Sequence, residues 1–185
     1  MGQEFETQVL DIDVEKIKKQ LRDLGAKEES EILQKRLVFD IKCLDSIVPG
    51  TGEWIRLRQS GNKTNLTYKN RKGNGLSDTQ EIEIVVDDFD KTEKILSNLT
   101  CFTDKYYQEN KRIAFRLGDI EFTIDTWPMI PTFLEIESTS EEKVKKGLKM
   151  LGLEGKDAGH IGLIQIYRKY GKDIHSYKEL KFKEE

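Results

Sequence analysis

The sequence predicts an α+β fold dominated by antiparallel pairing, with about eight strands and several helices. Three observations carry that expectation. Much of the 185-residue chain alternates polar and apolar side chains with a period of two. Short turn signals, such as Gly61-Asn62 and Gly118-Asp119, separate consecutive alternating stretches. Only a few segments show helical spacing instead, and no linker rich in Ser, Pro or Gly divides the chain, so one domain over residues 1–185 is expected.

Gln3 to Leu10 alternates and reads as a strand, after which Val14, Ile17, Leu21 and Leu24 recur at helical spacing until Gly25. Glu31 to Asp40, Glu53 to Ser60, Lys63 to Arg71 and Gln80 to Val86 are further strands. Between them lie Val48-Pro49-Gly50-Thr51-Gly52, Gly61-Asn62 and Gly73-Asn74-Gly75, all turn-forming. A short helix follows from Asp88 to Leu99, with Phe89, Leu96 and Leu99 available for burial. Tyr106 to Leu117 and Ile120 to Thr126 then pair through Gly118-Asp119. After the corner Trp127-Pro128-Met129-Ile130-Pro131, Thr132 to Ser138 adds a strand, and Ser140 caps a helix to Leu151. Asp157 to Gly171 reads as a last helix; Tyr177 to Glu185 has no assignable pattern.

Composition narrows the functions. Hydrophobic residues make up 36% and charged residues 35%, with mean hydropathy −0.64, and no apolar run approaches the roughly 18 residues of a spanning helix, so no membrane partner is expected. Met1-Gly2-Gln3-Glu4-Phe5-Glu6 lacks the basic and apolar regions of a signal peptide, which points to the cytoplasm. Cys43 and Cys101 form no metal or disulfide motif. With 31 basic and 34 acidic residues the net charge is −3, and no nucleic-acid surface is expected.

Strand parity organises the charges. Residues two apart share a face, roughly 7 Å from one another. Glu4, Glu6 and Gln8 share one face of the first strand; Arg56 goes with Arg58, Thr67 with Lys69 and Arg71, Glu81 with Glu83, Asn110 with Arg112 and Arg116, Thr123 with Asp125, and Glu135 with Glu137. The opposite faces carry Ile55/Leu57, Leu66/Tyr68, Ile82/Ile84/Val86, Ile120/Phe122/Ile124 and Leu134/Ile136. For any single strand a charged face is ordinary solvent exposure. Four strands, however, pair like charges two residues apart, and such pairs repel unless something compensates them. Carboxylates suit a hard divalent cation, and guanidinium and ammonium groups suit phosphate oxygens. A sheet curled into a barrel with its charged face inward would gather both sets around one polyanion and its metal.

The ordered set Glu4-Phe5-Glu6-Thr7-Gln8, Trp54-Ile55-Arg56-Leu57-Arg58, Leu66-Thr67-Tyr68-Lys69, Glu81-Ile82-Glu83, Ile124-Asp125 and Phe133-Leu134-Glu135-Ile136-Glu137 resembles the CYTH superfamily of triphosphate tunnel metalloenzymes, over roughly residues 3 to 138. The resemblance implies an eight-stranded antiparallel β-barrel open as a tunnel, with C-terminal helices over 140–171, and Mg²⁺ or Mn²⁺ as cofactor. It implies a metal side of Glu4, Glu6, Asp125, Glu135 and Glu137, with Glu81 or Glu83 contributing, and a triphosphate side of Arg56, Arg58, Lys69 and Arg112. The implied partner is a small-molecule triphosphate; a homodimer is compatible with the family. Three functions remain open: hydrolysis of tripolyphosphate, a nucleoside triphosphate or thiamine triphosphate; class IV adenylate cyclisation of ATP to cyclic AMP and pyrophosphate; and triphosphate sensing without turnover.

The chain departs from the family pattern at two cations. Gln8 stands at the signature lysine, and Asn110 begins what is usually Lys-x-Arg. Arg36, Arg71 and Arg116 are the residues that would restore the charge. Gln34-Lys35-Arg36 lacks the Asp and Tyr of many triphosphatase members. His160 and His175, away from any ligand spacing, are expected to be structural or exposed, Trp127 to pack in its corner, and Lys143, Lys145, Lys146 and Lys149 to form a solvated helix face.

Overall fold

The alternating segments do form strands in the computed structural model, which describes residues 5–43, 51–72 and 79–183. In chain order the elements are β1 (Phe5–Val9), α1 (Val14–Asp23), β2 (Lys27–Glu28), β3 (Ile32–Cys43), β4 (Gly52–Ser60), β5 (Lys63–Arg71) and β6 (Thr79–Val86). They continue with α2 (Phe89–Ser97), β7 (Asp104–Leu117), β8 (Ile120–Thr126), β9 (Phe133–Ser138), α3 (Glu141–Leu151), α4 (Leu163–Lys169) and β10 (Glu179–Leu180). Eight of these strands are the expected ones; β2 and β10 are two-residue additions that pair with β7. The α+β class and the antiparallel pairing are as the sequence predicts. Glu4, the turn Gly73-Asn74-Gly75 and the Val48-Pro49-Gly50 part of the preceding turn lie outside the described residues.

Local chemistry explains the boundaries. Asp13, Asp88 and Ser140 cap α1, α2 and α3, their side-chain oxygens accepting from the backbone N–H of Lys16, Lys91 and Lys143. Gly61 and Gly118, both with φ near +60° (58° and 59°), take the first position of two-residue hairpins in which Ser60 pairs with Lys63 and Leu117 with Ile120. A side chain at that position would be strained, and the sign of φ suits the twist of the flanking strands.

One compact set comprises residues 5–32 and 111–161. Its strands run in the order β1-β9-β8-β7, the last contributing its second half. Val9, Phe115, Phe122, Ile124, Leu134 and Ile136 form a continuous apolar layer under Ile17 and Leu21 of α1 and Val144, Leu148 and Leu151 of α3. Each fully buried large aliphatic side chain contributes about 1.5–3 kcal/mol. Helix α3 lies so close that a Cβ on Gly147 would stand 2.9 Å from Ile136 Cγ2. Because the apolar positions are covered, the alternate ones, Glu6, Gln8, Thr123, Asp125, Glu135 and Glu137, are left to one charged face.

The second set comprises residues 33–110 and 162–183, with strand order β7-β3-β4-β5-β6. Here Leu37, Phe39 and Leu57 pack on Phe89 and Leu96 of α2, with Ile55, Leu66 and Val86 beside them. The apolar face is not covered throughout: Ile82 and Ile84 on β6 remain 50% and 55% exposed.

The C-terminal region differs from expectation. Helix begins only at Leu163. Residues 157–161 lie along β1 instead, with Ala158 N donating to Gln8 O (2.9 Å), Gln8 N to Gly159 O (3.2 Å), and the Thr7 hydroxyl to the Asp157 carboxylate. Gly159 has φ +73°, and backbone bonds to β1 replace those of a helical turn. No described helix is long and apolar enough to cross a membrane.

Candidate functional site

In the first set, antiparallel register brings the acidic positions side by side: Glu6 lies opposite Glu137, and Gln8 opposite Glu135. One carboxylate oxygen from each of Glu6, Glu135 and Glu137 falls within 4.8 Å of the others. Burial, and then the charge of Glu6, push the Glu135 carboxyl up to about 7, with Arg112 pulling the other way. Three converging carboxylates are a hard oxygen donor set whose mutual repulsion a divalent cation relieves, so these residues fit the Mg²⁺ or Mn²⁺ that the sequence leads one to expect.

Asp125, expected on the metal side, is wholly buried and held by Arg112, expected on the phosphate side: Nε donates to Oδ1 at 2.8 Å and Nη2 to Oδ2 at 2.6 Å. Arg112 Nη2 also reaches Glu135 Oε1 at 3.2 Å, and Thr123 donates to Asp125 Oδ2. Burial works against the Arg112 charge, but Asp125 and Glu135 more than offset it and raise its pKa. Arg116 is exposed and engages Glu29 and Glu121.

Gln8 is only 2% exposed, and its amide faces two ways. Nε2 donates to Glu135 Oε2 at 3.3 Å, and Oε1 accepts from Ile161 N at 2.8 Å. A lysine could make the first contact but has no acceptor for the second. The same segment carries His160, whose Nδ1 lies 2.9 Å from Glu6 Oε1. His160, expected to be structural or exposed, stands beside the acidic cluster.

The second set carries the cations. Arg36 is opposite Arg58, Val38 opposite Arg56 and Asp40 opposite Trp54; across the next pair Trp54 is opposite Lys69 and Arg56 opposite Thr67. Arg36, Trp54, Arg56, Lys69 and Arg71, with Asp40, line one cavity of about 230 Å³ whose far wall is given by Gly162 to Gln165, Ile174 and His175. A Cβ on Gly162 would meet Arg71 Nη1 at 2.9 Å. Arg36 is buried and donates to the Asn110 side-chain oxygen, so position 110 accepts from a cation on the adjacent strand.

Glu81 and Glu83, expected to contribute to the metal side, stand among these cations. Lys69 Nζ is 2.6 Å from Glu81, and Glu83 lies 3.6 Å from Arg56 and 3.9 Å from Arg58. Burial opposes the Glu83 charge, but hydrogen bonds from Thr67 and Asn65 with the two arginines hold its carboxyl below the usual range. Sequence reasoning passed over Trp54 and Asp40, although parity with Arg56 and Arg36 was available as a signal. His160 and His175 had none, because each reaches its place through a segment remote in sequence. Trp127 is buried in its corner as expected.

The sequence profile of the CYTH domain matches residues 2–158. No curated protein matches. Among solved structures the chain is similar to the PH1012 protein of Pyrococcus horikoshii, with 21% identity, TM-score 0.69, and 85% of this chain and 96% of that one covered. It is also similar to a candidate adenylate cyclase of Vibrio parahaemolyticus (15% identity, TM-score 0.69, 90% and 98% covered). A third is HpAC1 of Hippeastrum, a candidate adenylyl cyclase with a dominant triphosphatase activity (16% identity, TM-score 0.60, 92% and 96% covered).

Proposed function

The chain belongs to the CYTH family, and from that membership we propose that it is a divalent-metal-dependent triphosphatase whose substrate is an organic triphosphate. The observation that carries this reading is the shared face of β3, β4 and β5, where Arg36, Arg56, Lys69 and Arg71 line a cavity together with Trp54. The cations match the oxygens of a polyphosphate, and an indole beside them offers a stacking surface that inorganic tripolyphosphate does not use. The triphosphatase activity of HpAC1 supports hydrolysis over cyclisation.

Arg56, Arg58, Lys69 and Arg71 would bind the phosphate chain and neutralise the charge that spreads over its oxygens as water attacks the terminal phosphorus and the bridging P–O bond breaks. Binding displaces Glu81 and Glu83 as partners of these cations, so the bare site is held in order by internal ion pairs. Glu6, Glu135 and Glu137 would hold the divalent ion, with Gln8 and Arg112 orienting Glu135. Such an ion, when bound, would supply Lewis acidity.

Phosphorus NMR with Mg²⁺ or Mn²⁺ tests the reading, with tripolyphosphate, ATP and thiamine triphosphate offered separately. Orthophosphate release from an organic triphosphate, lost in Glu137→Gln, is the expected result. Pyrophosphate with cyclic AMP would replace it by cyclisation, line-broadening without products by sensing, and no interaction would overturn it.

A further inference from the structure

We propose that Asn110 is a positioning residue that aims Arg36 at the phosphate oxygens of the substrate, making Arg36 a further polyphosphate ligand; this rests on the polyphosphate binding proposed above. Arg36 is 9% exposed and lines the cavity with Arg56, Lys69 and Arg71. Among the described residues Asn110 does not line that cavity, but Gln108, two residues earlier on β7, does, so parity puts Asn110 on the same face of the sheet. Asn110 is wholly buried, and its side-chain oxygen accepts from Arg36 Nη2. Gln34 Oε1 accepts from the same nitrogen at 3.5 Å, and Gln34 Nε2 donates to Ser60 Oγ at 2.8 Å, which turns the amide oxygen towards Arg36. The wholly buried Tyr167 of α4 is close enough that the Arg36 charge opposes the rise in pKa that burial gives its phenol.

An amide oxygen directs a guanidinium without cancelling its charge. The guanidinium carries its N–H donors in a rigid planar fork, so holding one nitrogen sets where the others point. A long side chain ordered in this way before substrate arrives loses less freedom on binding. The neighbouring cations are held differently: Lys69 meets Glu81 and Arg56 meets Glu83, carboxylates that a phosphate must displace. Asn110 need not be displaced, because its oxygen and a phosphate oxygen can accept from different N–H groups of one guanidinium. A carboxylate at position 110 would instead form a buried ion pair with Arg36 and compete with phosphate for its charge.

Calorimetry of tripolyphosphate with the intact protein at fixed Mg²⁺ tests this, with Asn110→Asp as the near-isosteric variant. Asn110→Asp should bind about 10–100-fold more weakly, the worth of one charge-assisted hydrogen bond, while its melting temperature without ligand is unchanged or higher. Arg36→Gln should show a similar weakening. Asn110→Leu should weaken binding when Arg36 is present but not in the Arg36→Gln background, because Asn110 acts only through Arg36. A merely structural asparagine predicts the reverse, a lower melting temperature in Asn110→Asp with affinity kept within about twofold, and that result would overturn the proposal. Affinity unchanged in Arg36→Gln but weakened in Arg56→Ala would also overturn it and leave the polyphosphate site standing. Absence of tripolyphosphate binding by the wild type would remove both together. Asn110→Asp only replaces an amide nitrogen by oxygen, so it decides the matter even if Asn110→Leu fails to fold.

Discussion

Arg112 clasps Asp125 through two hydrogen bonds of 2.8 and 2.6 Å, and Asp125 is completely buried. Thr123 also donates to this carboxylate, and the guanidinium brings the opposite charge. Removing Arg112 takes away one partner of a buried ion pair, and Arg112→Ala is expected to cost about 3–5 kcal/mol. Urea unfolding measures this. The double variant Arg112→Ala/Asp125→Asn should recover a substantial part of the loss; equal losses in the single and double variants would mean that the pair is not the source.

Gln8→Lys tests what the departure from the family signature does. The Gln8 side-chain oxygen accepts from Ile161 N, which also donates to Gly159 O, so lysine should lower stability by about 0.5–1.5 kcal/mol through the one lost hydrogen bond. Turnover should not rise. Unchanged thermal stability with faster turnover would show that position 8 acts as a missing catalytic cation instead.

The Glu135 carboxyl is pushed up to about 7 by burial and by Glu6, against an ordinary 4.5. The folded chain therefore keeps a proton that the unfolded chain has lost, and the stability of the metal-free protein falls as pH rises from about 4.5 to about 7. A divalent ion favours the ionised carboxylate, so its stabilising effect runs the other way with pH. Thermal melts with and without Mn²⁺ should show a larger metal-induced shift at about pH 8 than at about pH 6, on either side of the Glu135 titration, and Glu135→Gln should flatten the difference. Identical shifts at both pH values would contradict the assignment.

Glu83→Gln discriminates between two roles. As the internal counter-ion of Arg56 and Arg58, Glu83 competes with phosphate, so its neutralisation should tighten tripolyphosphate binding several-fold in calorimetry. A metal-side role predicts weaker binding when Mn²⁺ is present. Arg56→Ala should weaken it about 10–100-fold, the loss of a charge-assisted contact.

Trp54→Ala is expected to raise KM for an organic triphosphate by about tenfold, the worth of one aromatic contact, and to leave inorganic tripolyphosphate unaffected. Equal effects on both substrates would assign Trp54 to the support of Lys69, its neighbour in register, rather than to the organic moiety.

Strands and their faces were legible in the sequence. Alternation is local, so Lys63–Arg71 and Ile120–Thr126 have the expected bounds, and Ile120, Phe122 and Ile124 join the apolar cluster while Thr123 and Asp125 are buried on the opposite, polar face. The helix expected from Asp157 starts later than its spacing suggests because residues 157–161 bond to β1, a partner about 150 residues away that local spacing does not reveal. Which charges meet is a property of the folded chain alone. Arg112 turns to Asp125, Glu81 and Glu83 turn to the arginines and Lys69, and His160 comes to Glu6. Parity states which face a side chain occupies. Its neighbour depends on lateral register between strands and on where remote segments are fastened, and both are set by packing across the whole chain.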